Sequence, residues 1–192
     1  MYGVDVLTLS IRKEDLPLYE DPIAIAIFFA MEKGTFVSTS ARNDGPTPQS
    51  MHNGIPWVII VATSTLNREF HGTLTLGNGA SIIVAWPNVL VSNIGQCAFS
   101  NFNFLSGTSM ASAHVASVTA LVKGTHPDWS PVAIRSIIMT TSYILDNTKG
   151  PIKEIGDDGG YKPSSSLAFG AGHANPNEAL NPGLVYDVGA QA

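Results

Sequence analysis

From Val4 to Ser10 the chain alternates, with Val4, Val6, Leu7 and Leu9 interleaved with Asp5, Thr8 and Ser10. That is the period of a half-buried strand. Asp21-Pro22 supplies a helix start, Asp as N-cap and Pro at the first helical position. The helix runs through Ile23–Met31 to a stop at Gly34 and is apolar nearly all round, which predicts cover on both sides. Phe36–Ser40 reads as the next strand. Strand, helix and strand within ~40 residues form a βαβ unit and imply a parallel sheet. Trp57–Ala62 is a continuous apolar run, as for a strand buried on both faces. Thr73–Leu76 and Ser81–Val84 flank Gly77-Asn78-Gly79 and predict a hairpin. Two helices follow, one from near Ser109 to about Lys123 with Gly124 as its stop, the other from N-cap Ser130 and Pro131 to about Thr141. The last 45 or so residues, rich in Gly, Pro, Ser and Asn, read as ordered loops and a short tail. The order of elements predicts an α/β fold, a mostly parallel sheet flanked by helices.

Composition narrows this picture. At 192 residues, 44% hydrophobic and 13% charged, the chain can bury a core and is not of disordered type. A net charge of -5 gives no electrostatic reason to bind nucleic acid or anionic lipid. The longest apolar run, Ile23–Met31, is too short to span a bilayer, so no membrane partner is expected. The lone Cys97 reads as a small packed residue and stands in no metal-ligand spacing. The opening Met1-Tyr2-Gly3-Val4-Asp5 has no basic segment ahead of an apolar one, so no secretory signal is expected, and no Asn-X-Ser/Thr acceptor occurs.

The stretch with most chemistry in it is Phe104-Leu105-Ser106-Gly107-Thr108-Ser109-Met110-Ala111-Ser112-Ala113-His114-Val115. It leads small residues into a helix with a serine in the first turn. There a hydroxyl is accessible and unpaired backbone N–H groups favour negative charge. Gly107 permits a sharp turn and close backbone approach. Taken alone, Ser109 reads equally as a plain N-cap.

The sequence Gly107-Thr108-Ser109-Met110-Ala111, followed by His114-Val115, resembles the signature around the nucleophile of subtilisin-like serine proteases. Ser40-Ala41-Arg42-Asn43-Asp44-Gly45-Pro46 looks like that family's oxyanion-hole loop. His52–Val58, Arg68-Glu69-Phe70, Leu76–Gly79 and Gly170-Ala171-Gly172-His173 are similar to its plant-type branch. The resemblance covers nearly the whole chain and implies a subtilisin-like fold, peptide-bond hydrolysis, a peptide or protein substrate, no metal or organic cofactor, and a secretory or extracellular setting. It makes Ser109 the nucleophile and Asn43 the side-chain donor to the developing oxyanion.

The same resemblance implies what the chain is expected to lack. The family's triad runs Asp, His, Ser along the chain, and its Asp and His segments precede the stretch matched by Val4–Ser10. They would lie before Met1, so inactivity of the isolated chain is expected, with a complementing chain as a conceivable partner and a non-catalytic binding or regulatory role as the alternative. Only about 30 residues separate Gly79 from Ser109, where the branch carries a protease-associated insert. The expected organisation is a partial, incomplete peptidase domain over 1–187, with a deletion junction near 79–83, no C-terminal fibronectin-like domain, and a tail at 188–192. Arg12 and Arg42 stand where the family has glycine beside the substrate cleft, which Gly107 also borders, and a long cation there would fill the cleft or swing out. Ala113 replaces a usual proline.

Two internal histidines compete as bases. His71-Gly72-Thr73 imitates the family's His motif but follows Asn43 and leads into a strand. His114 lies five residues beyond Ser109, about 140° round a helix of 3.6 residues per turn, and points elsewhere. An unrelated esterase elbow at Ser109, with Asp146 and His173 downstream, is a further reading of the same residues.

Overall fold

The computed structural model describes residues 3–11, 16–45, 47, 49–65, 71–85, 105–156 and 158–188, apart from the side chains of 71, 72, 84 and 85. Arg12, Cys97 and Arg68-Glu69-Phe70 lie outside the described residues. The chain divides into two compact units, residues 1–64 with 107–192, and residues 65–106.

The first unit holds a parallel three-stranded sheet in the order β1 (Val6–Leu9), β2 (Phe36–Ser40), β3 (Ile59–Val61). Val6 is opposite Phe36 and Ser38 opposite Ile59, so strand alternation divides the side chains between two faces. On one face Leu7, Leu9, Val37 and Ile60 meet α1 (Pro22–Glu32). On the other, Val6, Phe36, Ile59 and Val61 meet α2 (Thr108–Thr125), α3 (Pro131–Thr140) and α5 (Pro176–Leu180). The expected α/β architecture with helices on both faces is therefore present.

Local chemistry explains the helix ends. The Asp21 carboxylate accepts from the Ile23 N–H at 2.8 Å, with Pro22 in the first turn. Beyond Lys33, Gly34 takes φ +85 while its N–H reaches Met31 and that of Thr35 reaches Ala30, the left-handed exit that favours glycine. Ser130 caps α3 by accepting from Ala133 N–H at 3.0 Å. A hydroxyl cluster, buried at Ser38 and Ser112, ties α2 to the sheet: Ser112 Oγ lies 2.9 Å from Thr8 Oγ1 and 3.2 Å from Ser38 Oγ.

Several expectations need correction. α1 is covered on one side only: Ala24 and Ile27 are buried, whereas Phe28 and Phe29 are 42% and 55% exposed, because the described sheet offers a single face to it. α2 does not stop at Gly124 but runs through it to Thr125, since one glycine costs only about 1 kcal/mol inside an otherwise well-packed helix. The strand expected over Trp57–Ala62 is limited to Ile59–Val61, with Trp57 and Val58 in a turn. The C-terminal stretch is more than loops: it holds a hairpin of β6 (Lys153–Ile155) and β7 (Tyr161–Pro163), α4 (Ser166–Phe169) and α5. Its final segment straps α3, with Tyr186 N–H donating to Ser136 Oγ at 2.9 Å and Ser130 Oγ to the Asp187 carboxylate at 2.5 Å.

The second unit contains the expected hairpin, β4 (His71–Thr75) antiparallel to β5 (Ser81–Ala85) around the Gly77–Gly79 turn. Residues 79–83, the expected position of a junction, form the end of that turn and the start of β5.

Candidate active site

β2 ends at Ser40 and the chain enters a loop that returns at Asn53. Its neck is pinned: Ala41 N–H donates to Val61 C=O at 2.9 Å, His52 N–H to Ala41 C=O at 3.1 Å, and Asn53 Nδ2 to Ser40 C=O at 3.1 Å. Just past the neck Arg42 adopts φ +90, a conformation costly for any residue with a Cβ. Its guanidinium Nε pairs with the Asp44 carboxylate and its NH1 meets His52 Nε2. Arg42 is thus drawn onto its own loop.

Asn43 follows, and its Oδ1 accepts from Thr108 N–H at 2.8 Å and from Thr108 Oγ1 at 3.1 Å. With the carbonyl end of the amide committed to Thr108, Nδ2 is the end left to donate. Gly107, the N-cap of α2, has φ +144, and a Cβ there would lie 3.2 Å from Asn43 Nδ2. Conformation and close approach both require glycine. Ser109 is the second residue of α2 and half-buried, so it is not the N-cap that its context alone also allowed. The fold brings Asn43, Gly107, Thr108 and Ser109 together at the carboxyl end of β2, although 65 residues separate Asn43 from Thr108. Sequence reasoning named three of these four. Thr108, which orients the Asn43 amide, was overlooked, and its position between Gly107 and Ser109 was the available signal.

The imidazoles are engaged elsewhere. His114 Nδ1 lies 2.8 Å from Met110 C=O, the back-bond its helical position predicts. His126 Nε2 lies 2.9 Å from Leu180 C=O and its ring stacks on Trp129. His173 Nδ1 lies 2.6 Å from Ser64 Oγ. The residues of the esterase-elbow reading are therefore not assembled: His173 pairs with Ser64, and Asp146 closes its own turn by accepting from Thr148 N–H, Thr148 Oγ1 and Gly150 N–H at 2.6–2.9 Å. The Thr148 hydroxyl foremost, then the Gly150 N–H, hold the Asp146 carboxyl below its usual range. His71 begins β4, as expected of a residue leading into a strand, and its side chain is outside the described set. Among the described residues, no group of three His, Cys, Asp or Glu side chains could hold a metal ion, and no helix is long and apolar enough to cross a membrane.

Residues 3–172 match the family described as the subtilase family. The tomato (Solanum lycopersicum) subtilisin-like protease SBT3 is 28% identical over 98% of this chain and 45% of its own length. Subtilisin-like protease SBT1.3 of Arabidopsis thaliana is 47% identical over 60% of this chain and 15% of its own length. The chain thus spans less than half the length of these curated relatives. Among solved structures, a protease from Pseudoalteromonas arctica superposes with a TM-score of 0.53 at 19% identity, covering 92% of this chain and 50% of that one. The prenylagaramide maturation protease PagA gives 0.51 at 14% identity, over 93% and 61%. At these identities the structural likenesses speak for the fold.

Proposed function

The chain belongs to the subtilase family, in its plant-type branch, and on that premise we propose that its site is built for serine-type hydrolysis of peptide bonds. In this reading Ser109 Oγ attacks the scissile carbonyl, and Asn43 Nδ2 donates to the oxyanion as it forms. The family likeness assigns Arg12, Arg42 and Gly107 to the border of the cleft. The observation that carries the reading is the bond from Thr108 N–H to Asn43 Oδ1, which turns the free end of a loop amide toward the turn that presents Ser109. Loss of such a donor lowers turnover about 10²–10³-fold, a magnitude that comes from subtilisin itself.

Attack by a serine also requires a base to take its proton. Each described imidazole side chain has a partner other than Ser109. The chain by itself is therefore expected to be inactive, and a complementing polypeptide that brings an Asp and a His to Ser109 would be required for turnover. The same pattern favours the second reading, a non-catalytic binding or regulatory module that retains the peptide cleft. A secretory or extracellular setting follows the family.

Incubating the purified chain with casein and with a fluorophosphonate probe tests both parts. The expected result is no turnover and no labelling of Ser109 at a rate typical of active hydrolases; for a base-less triad the loss is roughly 2 × 10⁶ in kcat, again a subtilisin value. Rapid labelling of Ser109 would rule out the inactivity and leave the nucleophile assignment standing. Rapid labelling at a different serine would rule out the assignment.

A further inference from the structure

The geometry points to Arg42, Asp44 and His52 as a clasp that positions Asn43 and opens when His52 takes up a proton. Its functional meaning rests on reading Asn43 as the oxyanion donor; its existence does not.

Arg42 sits at φ +90, where a side-chain-bearing residue needs outside support. One guanidinium provides it by engaging two residues at once: Nε with Asp44, on the far side of Asn43 in sequence, and NH1 with His52, on the returning arm of the loop. The backbone ties the same two arms through His52 N–H and Ala41 C=O at 3.1 Å. Asn43 therefore lies between a pinned neck and a side-chain bridge, with its amide held by Thr108 at the other end. The clasp bounds the two rotations that would carry Nδ2 away, that of the loop and that of the amide.

A guanidinium can only donate. In the contact with Arg42, His52 Nε2 is the acceptor, so the ring is neutral and carries its proton on Nδ1. Protonation removes that acceptor and sets two cations side by side. The clasp is thus closed above the range in which imidazoles titrate and opens as pH falls through it. On its own loop His52 meets the Arg42 guanidinium, which is itself paired with Asp44. From α3, Arg135 reaches the Pro56 carbonyl on the segment that follows. From α2, the first ionisable side chain is His114, which is committed to Met110. Asp44 remains paired with Arg42 when His52 is charged, so the opening is partial: the Asp44 side of the bridge holds and the His52 side lets go.

The test is a titration of the ¹⁵N-labelled full chain, in a Phe29→Lys background that limits self-association through the exposed face of α1, from about pH 8 to about pH 5, followed by NMR well below its melting temperature. The side-chain NH₂ signals of Asn43 and the backbone N–H of Thr108 are expected to shift along one curve that superimposes on the curve of the His52 ring proton. In His52→Gln, whose amide oxygen accepts from Arg42 at every pH, the Asn43 signals should stay flat at their alkaline position. In Arg42→Gly, His52 should still titrate while Asn43 no longer follows it. Asn43 signals that do not move in the unmodified chain, or that keep their curve in His52→Gln, overturn the proposal. Labelling of Ser109 reads the catalytic assignment separately: a titrating Asn43 beside a Ser109 that is not the nucleophile would leave the clasp and remove only its bearing on catalysis.

Discussion

The left-handed backbone at Arg42 bears on stability as well as on the site. Arg42→Gly and Arg42→Ala both lose the side-chain pairs with Asp44 and His52, but only alanine keeps the Cβ that φ +90 penalises. The glycine variant is expected to be the more stable of the two by about 1 kcal/mol in urea unfolding, despite its more flexible unfolded chain. Gly107→Ala works in the opposite direction. Its Cβ would press on the Asn43 amide at a backbone angle alanine resists, and a loss of about 1–3 kcal/mol is expected together with loss of the Thr108 contact. Asp146 supplies a pH dependence of known sign. Its folded carboxyl titrates below the usual aspartate range because Thr148 and Gly150 donate to the charged form. The contribution is therefore present above the unfolded value and is lost as pH falls through the lower, folded one. The Gly150 N–H should lose exchange protection only in that acid window, and Asp146→Asn should abolish the dependence. The pair Asn43–Thr108 was half visible in the sequence, because motif chemistry marks Asn43 and Ser109 but not which backbone N–H fixes the amide. The Arg42–His52 contact depends on the path of a ten-residue loop, and nothing in its composition announces it.

Among the elements, the caps at Asp21 and Ser130 were legible because a short side chain reaching a neighbouring N–H is a local event. The hydrophobic period also placed β1, β2 and the hairpin. Misreadings occurred where tertiary packing outweighs composition: α2 carries Gly124 through because one face of the helix, with Val115, Thr119 and Val122, is buried, and β6 and β7 pair through a glycine turn in which Asp158 accepts from Gly160 N–H at 2.9 Å. The one-sided cover of α1 gives a contrast in mutational cost. Ile27→Ala should destabilise by about 2–5 kcal/mol, whereas Phe29→Lys on the exposed side should stay within about 0.5 kcal/mol and reduce self-association. The hydroxyls of Thr39 on β2 and Thr119 on α2 are buried with no hydrogen-bond partner among the described residues. Replacing either with valine keeps the shape and removes the desolvation cost, so each variant is expected to gain about 1 kcal/mol, measured by thermal and urea melts.

At the scale of the whole molecule, the parallel sheet has three strands among the described residues, which is narrow for its type. β1 lies at its edge, and strand alternation turns the N–H and C=O of Val6 and Thr8 away from β2. Among the described residues Val4 stands exposed beside that edge, and Phe28 and Phe29 on α1 add further apolar surface. Unpaired strand edges are templates for association, and small domains are stable by only about 5–15 kcal/mol. The isolated chain is expected to self-associate at micromolar concentration and to melt below about 55 °C, within or under the ordinary mesophile range. Size-exclusion chromatography with calorimetry checks this, and a monomer with a sharp transition above that temperature would mean that the edge is covered.

The first unit is assembled from two stretches of sequence with residues 65–106 between them. During synthesis the N-terminal strands and α1 therefore leave the ribosome long before α2. At about 5–20 residues per second, the 61 positions from Val61 to Val122 take roughly 3–12 s to be added. For that interval Phe36 and Val61 have no helix to lie against, and Thr8 waits for a Ser112 that is 104 residues away. A nascent chain with one face of its sheet open for seconds is expected to engage chaperones that bind exposed apolar strands, so the order of translation bears on the yield of folded protein alongside the stability of the finished fold.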